Sequence, residues 1–323
     1  MPRFIASRLG KMALILIGIV ILNFALIHAA PGDPASVMAG EAGDADAAFL
    51  QQLRERFGLD KPLPIQLLTY LANVLRLDFG YSYRQGMPVI DLIADRLPAT
   101  LLLSGSAFLI SLVLGVAAGA LAASRQGKVS DSVISTLALL FYATPLFWLA
   151  LMAVLLFSVQ LGWFPGFGYE SVGSGYSGLE RAADILHHLV LPALTLGLFF
   201  MAVYARMTRA SVLEVSRLDF VRTARAKGLR PRAVLVRHIL RNAILPVVTL
   251  AGLQAGQLVG GAVLIETVFA WPGIGRLMFE ALEQRDYNLL LGIFVVSAAM
   301  VLAFNLITDI LYRLVDPRIG AAA

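Results

Sequence analysis

The stretch EVSRLDFVRTARAKGLRPRAVLVRH, from Glu214 to His238, carries seven Lys or Arg residues and only two acids. Long apolar runs flank it, LVLPALTLGLFFMAVYA (Leu189–Ala205) before and AILPVVTLAGLQAGQLVGGAVLI (Ala243–Ile265) after. A helix crossing a bilayer needs about 20 mainly apolar residues. Lys and Arg collect in the loops on the cytoplasmic side. A basic loop between two such runs therefore speaks at once to fold class and to sidedness.

The rest of the chain agrees with a membrane reading. Of 323 residues, 59% are hydrophobic and 15% charged, with mean hydropathy +0.79. Soluble domains carry about 25% charged residues. Six spans are expected, at roughly 12–30, 98–123, 133–162, 188–207, 243–266 and 289–312. Both termini then lie on one side. Placing them inside assigns 17 of the 26 Lys and Arg residues to the cytoplasm, ten of them between Arg206 and Arg241. The first apolar run, MALILIGIVILNFALI, exceeds the 7–15 residues of a signal peptide's apolar region. It is read as an anchor. The domain expectation is a first span over 1–30, an external helical insertion over 31–97, a five-span core over 98–313 and a cytoplasmic tail over 314–323. The core includes a cytoplasmic loop at 208–242. In the insertion, amphipathic runs at Phe49–Phe57 and Ile65–Leu75 suggest two short helices at the interface. The outer loop 163–187, rich in Gly, Ser and aromatics, is expected to be flexible or to dock a partner.

No phosphate-binding GxxxxGK[ST] loop occurs, so any ATP site belongs to another chain. Cysteine is absent, and the four histidines do not fall at ligand spacing. No catalytic constellation is present. In the fifth span, Gly252, Gly256 and Gly260 recur every four residues and share one helical face, as small residues do where helix backbones approach closely. Gln254 and Gln257 point away from that face. Amides inside a span are costly unless they meet protein or a water-filled cavity. They either line a translocation path or bond neighbouring helices. Glu266 closes this span and is expected to meet a partner or water.

The basic segment itself admits a polybasic patch on anionic lipid, at about 1 kcal/mol per basic residue near the surface. It also admits a docking element for a soluble protein. Nucleic acid is an unsuitable partner for a short loop against a bilayer. Ala224 and Gly228, four apart, suggest a face open to close approach, extended by Leu218 and Val221. Gly228 also suits a left-handed helix cap, with Pro231 starting the next helix. A transporter driven by an ion gradient would carry titratable relays inside its spans. The span interiors are nearly free of them. A scaffold without transport would need neither the Gln face nor the Gly stripe.

VRTARAKGL followed by RNAILP resembles the cytoplasmic loop signature of binding-protein-dependent ABC importer permeases, with Ala224, Gly228, Leu245 and Pro246 at matching positions. GGAVLIETVFAWPGIGRL (Gly260–Leu277) resembles the B-type permease of the dipeptide/oligopeptide/nickel group. PGDP (31–34), FGLDKPLPIQ (57–66), RLPATLLLS (96–104), RDY (285–287) and DPRI (316–319) extend the likeness along the chain. Asn288 stands where the group often has Pro. The resemblance implies an all-α, six-span, type I ABC importer permease of the bacterial inner membrane. It implies a second homologous permease, two ATPase subunits carrying ATP and Mg²⁺, an external solute-binding protein, and no cofactor on this chain. It also assigns Leu218, Asp219, Phe220, Val221, Arg222, Thr223, Ala224, Arg225, Ala226, Lys227 and Gly228 to the coupling helix, which seats in a cleft on an ATPase. The expected cargo is short peptides, with nickel chelates, glutathione or sugars as alternatives.

Overall fold

The computed structural model describes residues 2–29, 60–82 and 84–315. The helix expected at Phe49–Phe57 lies outside them. The described chain is helical apart from one two-stranded hairpin. Helix α1 covers Pro2–Ala29 and α2 Leu63–Leu75. The antiparallel strands β1 (Tyr81–Ser82) and β2 (Met87–Pro88) follow, with Tyr81 opposite Pro88. Then come α3 (Val89–Ser124), α4 (Val129–Ala143), α5 (Leu146–Ala153) and α6 (Gly178–Val215). The short α7 covers Asp219–Ala226. A single turn, α8 (Pro231–Ala233), leads through a wide π-helical segment at Val234–Leu240 into α9 (Arg241–Val268). Helices α10 (Ile274–Glu283) and α11 (Tyr287–Val315) complete the described residues.

Among the described residues, five helical stretches are long and apolar enough to cross a membrane: α1, α3, α6, the run beginning at Pro231 that enters α9, and α11. The sixth expected span is broken. α4 and the helix running from Leu146 through the π segment to Gln160 are bent by 104°. The cause is local. Proline disfavours helical backbone in the residue before it, and Thr144 before Pro145 is extended, at φ −79° and ψ 134°. The fifth span also starts earlier than the apolar run suggests. Pro231, at the first helical position where its missing N–H costs nothing, starts a helix that carries the basic residues up to Arg241. The loop expected over 208–242 therefore shrinks to the short links on either side of α7.

The chain forms two units, residues 1–95 with 278–302, and residues 96–277 with 303–323. In the first, the hairpin is fastened to the turn before α11. Ser82 donates to Asp286, whose other carboxylate oxygen accepts the Leu289 N–H at 3.1 Å and caps α11. Asn288 donates to the Tyr81 carbonyl at 3.2 Å. The second unit holds the larger apolar core, built from α3, α5, α6, α9 and the segment around Trp271. Its helices approach closely through small residues. A Cβ on Gly115 would stand 2.5 Å from Tyr204 Cβ, and one on Gly119 would meet the Ala205 carbonyl. Ala138 of α4 packs on Ala202 and Ala205 of α6.

Candidate coupling surface and its supports

The segment from Glu214 to His238 is organised by its caps. Leu218 is extended, so α7 begins at Asp219, whose acid in the first turn suits the positive end of the helix. The helix ends as Gly228 adopts φ +77° and donates its N–H to the Arg225 carbonyl at 2.9 Å. Only glycine takes that conformation freely. Nothing lies within 4 Å of where a Gly228 side chain would begin.

Two residues of α7 are buried, Val221 and Ala224. They pack with Ala123 at the end of α3, Val212 of α6, Val234 and Ile239 of the π segment, and Ala243 of α9. This corrects the expected outward face of small residues. Ala224 is approached closely by its own chain, because its i, i+3 spacing with Val221 makes these two the apolar stripe of the helix. Gly228 serves backbone conformation rather than close approach. The surface left bare comprises Asp219, Phe220, Arg222, Thr223, Arg225, Ala226, Lys227 and Gly228, bordered by Leu218 and Leu229. Leu218, Phe220 and Leu229 are 47%, 41% and 42% exposed, apolar side chains left bare in a segment that also carries Arg222, Arg225 and Lys227. Arg222 reaches Asp219 only at 3.4 Å, with both side chains exposed. Such a pair is worth little.

One turn inward along α6 from Val212, Arg209 grips Asp131 with both arms of its fork. Nε donates to Oδ1 at 2.7 Å and Nη2 to Oδ2 at 2.8 Å. Asp131 lies in the first turn of α4 and is nearly enclosed. Its Oδ2 also accepts the Gly127 N–H at 3.1 Å, fixing the turn between α3 and α4.

At the far end of α9, Glu266 meets neither partner nor water, contrary to the sequence reading. It is fully buried. Thr100 donates to it at 2.7 Å and the Arg276 N–H at 3.0 Å, with the Gly275 N–H adding a third bond. Thr100 in turn accepts the Ile274 N–H at 2.8 Å. The carboxylate thus sits on the N-terminus of α10, where free N–H groups and the helix dipole favour negative charge. A Cβ on Gly273 would overlap the carboxylate, and one on Gly275 would stand 2.7 Å from the Val263 backbone. Trp271, also buried, donates its indole N–H to the Ala99 carbonyl at 2.9 Å. The sequence signal was present in ETVFAWPGIGRL: an acid followed by a turn with two glycines opening a helix.

The outer loop is pinned rather than loose. Ser171 gives its N–H and hydroxyl to Asp184 at 2.6 and 2.8 Å, the Gly168 N–H reaches the Phe269 carbonyl at 2.9 Å, and Tyr169 stands edge-on to Trp271 at 4.8 Å.

The glycine stripe is placed in part. Gly252 and Gly256 are buried. A Cβ on Gly252 would overlap the methyl of Thr308 on α11. Gln254 is half-buried, and its Oε1 is enclosed without a hydrogen-bond partner among the described residues. The surroundings of Gly260 and the side chain of Gln257 fall outside the described residues. Among the described residues, no cluster of three or more His, Cys, Asp or Glu could hold a metal ion.

Sequence comparison agrees with this architecture. The profile of the family described as "Binding-protein-dependent transport system inner membrane component" matches residues 115–321, and that of its N-terminal region matches residues 1–104. The chain is 41% identical over 336 residues to the dipeptide transport system permease protein DppB of Escherichia coli strain K12, with 99% of each covered. It is 41% identical over 321 residues to the oligopeptide transport system permease protein AppB of Bacillus subtilis strain 168, again with 99% of each covered. Among solved structures, the inward-facing MetNI methionine ABC transporter matches at TM-score 0.57 and 18% identity, over 70% of this chain and 96% of that one. That likeness speaks for the type I importer permease fold alone. On these matches, together with its apolar helices, the chain belongs to the binding-protein-dependent transport system inner membrane component family, as a multi-pass permease subunit of the bacterial inner membrane.

Proposed function

We propose that this chain forms half of the translocation path of an ATP-driven importer for short peptides. The observation that carries the reading is α7: a short helix fastened to its own bundle by Val221 and Ala224, presenting Phe220 with Leu218 and Leu229 bare among cations. An exposed apolar knob on a braced helix suits a cleft on a soluble partner. Its place in the family signature makes that partner an ABC ATPase. Two ATPases, a second homologous permease and an external solute-binding protein complete the assembly. ATP and Mg²⁺ bind on the ATPases, and this chain carries out no chemistry. Its work is a shift between two packings, biased by nucleotide from inside and by the loaded binding protein from outside. Gly252, Gly256 and Gly260 pack helices. Gln254, whose carbonyl oxygen has no partner among the described residues, and Gln257 face the path or the second permease.

Peptide cargo follows from the full-length likeness to proteins named for dipeptides and oligopeptides. Nickel chelates, glutathione and sugars are alternatives within the same machinery. The test is uptake into proteoliposomes holding the complete complex, its binding protein and ATP, with labelled dipeptide, glutathione, nickel chelate and sugar compared. Saturable, ATP-dependent dipeptide uptake is expected. Transport confined to one of the other cargoes would overturn the peptide assignment.

A further inference from the structure

The apolar seat beneath α7 gathers α3 through Ala123, α6 through Val212, the π segment through Val234 and Ile239, and α9 through Ala243. Helix α4 contributes no buried residue to that seat. Besides its packing along α6, α4 is bound at this end by the forked bond from Arg209 to Asp131, one turn of α6 away from Val212.

We propose that Arg209 and Asp131 are a positioning pair that makes the α3–α4 turn, and with it α4, move as one body with the coupling helix. The inference rests on α7 being the ATPase docking element. Three features favour a fork over a simple contact. Both arms of Arg209 are engaged, which fixes orientation as well as distance. Asp131 is nearly enclosed, so its charge depends on Arg209 and the Gly127 N–H for compensation. A charged pair half withdrawn from water has no partly slipped arrangement of comparable energy, whereas the Ala138–Ala202 contact higher on α4 can slide. A push on α7 would therefore reach α4 without lag.

The chain has no cysteine, so Arg230→Cys and Arg125→Cys place two spin labels, on the exposed link that leaves α7, outside its bare face, and on the α3–α4 turn. The labelled complex is reconstituted with its ATPases, and the distance between labels is measured without nucleotide and with ATP. In the otherwise unsubstituted chain, one unchanged distance is expected in both states. Asp131→Asn should broaden or shift it on ATP addition and cut substrate moved per ATP by about tenfold, with the ATPases still co-purifying. Reversing the pair, Asp131→Arg with Arg209→Asp, should recover much of the loss. The inference is overturned if the unsubstituted distance changes with ATP, or if Asp131→Asn keeps transport per ATP within about twofold. It is equally overturned if the reversed pair assembles and recovers nothing. Failure of any ATPase to co-purify with the unsubstituted chain would instead bring down the docking reading, and this inference with it.

Discussion

At the outer end of α9, Glu266 is enclosed and the polar groups around it are satisfied. At the other end, α7 hides two of its eight side chains and leaves the rest bare. Both sites open a helix with an acid near its N-terminus, and both depend on glycine. They use these parts differently. Gly273 is needed because the Glu266 carboxylate fills the space its side chain would take. Gly228 is needed because its backbone takes φ +77°, in open space. The outer site is closed upon itself and holds α9, α10 and the start of the 98–123 span at fixed spacing. The inner site leaves its face open, which suits the proposed ATPase dock. A permease that shifts between two packings needs both: a stiff end to lever against and an open end to be pushed.

The largest effect expected from this contrast is at Glu266. Glu266→Ala strands the Thr100 hydroxyl and two backbone N–H groups, each at about 1–3 kcal/mol. Thermal unfolding of the purified protein should show a fall of several degrees or failure to fold, while Glu266→Gln, which keeps an acceptor, should cost less than half as much. An unaltered midpoint for Glu266→Ala would break the description of the outer end as a brace.

The glycines give the next comparison. Gly273→Ala must push the carboxylate aside and should destabilise by several kcal/mol, in the range of overpacking and lost buried bonds. Gly228→Ala meets no atom and should cost only the ~1–2 kcal/mol of a left-handed residue. Equal losses in a denaturation series would mean that Gly228 is packed rather than free.

Gln254→Leu sharpens the comparison between support and function. Its Oε1 is buried without a partner among the described residues, so the substitution should leave stability unchanged or raise it by about 1 kcal/mol. On the proposal that the amide faces the path or the second permease, uptake should nevertheless fall. Unchanged uptake in the assembled complex would assign the residue to packing alone.

The smallest effect concerns pH. Arg181 donates to Glu170 in the outer loop, and that bond holds the carboxyl below its ordinary value. A carboxyl depressed in the folded state stabilises at pH above the ordinary carboxylate range. That contribution disappears as pH falls through the depressed value. Arg181 is exposed and Glu170 partly so, which keeps the contribution small. Arg181→Gln should slightly flatten the acid limb of the stability curve, and an unchanged limb would show that the ion pair holds nothing.

Much of this was legible in sequence, for physical reasons. Apolar runs long enough to cross a bilayer and a bias of Lys and Arg give spans and sidedness without tertiary knowledge. Gly228 before Pro231 reads as a stop and a start because caps are local. What escaped needs partners from distant segments. Ala224 looks like an open face until Val212 and Val234 are seen to cover it. Glu266 looks like a surface acid until Thr100 and the start of α10 close around it. Asp131 and Arg209 lie 78 residues apart, and no local pattern links them. The break at Thr144–Pro145 was legible but was outweighed by a continuous apolar run. Phe220 carried its own signal, an aromatic among charges on an eight-residue helix, and exposure is what gives it meaning.

The bare face of α7 is proposed as the surface an ATPase occupies. This assignment is tested most directly by a photo-reactive phenylalanine analogue in place of Phe220, with Val172, at the exposed tip of the outer loop, as the companion site. Irradiation of the assembled complex should join position 220 to an ATPase subunit and join position 172 to none. An intact complex that yields no ATPase adduct from 220, or yields one as readily from 172, would contradict the account.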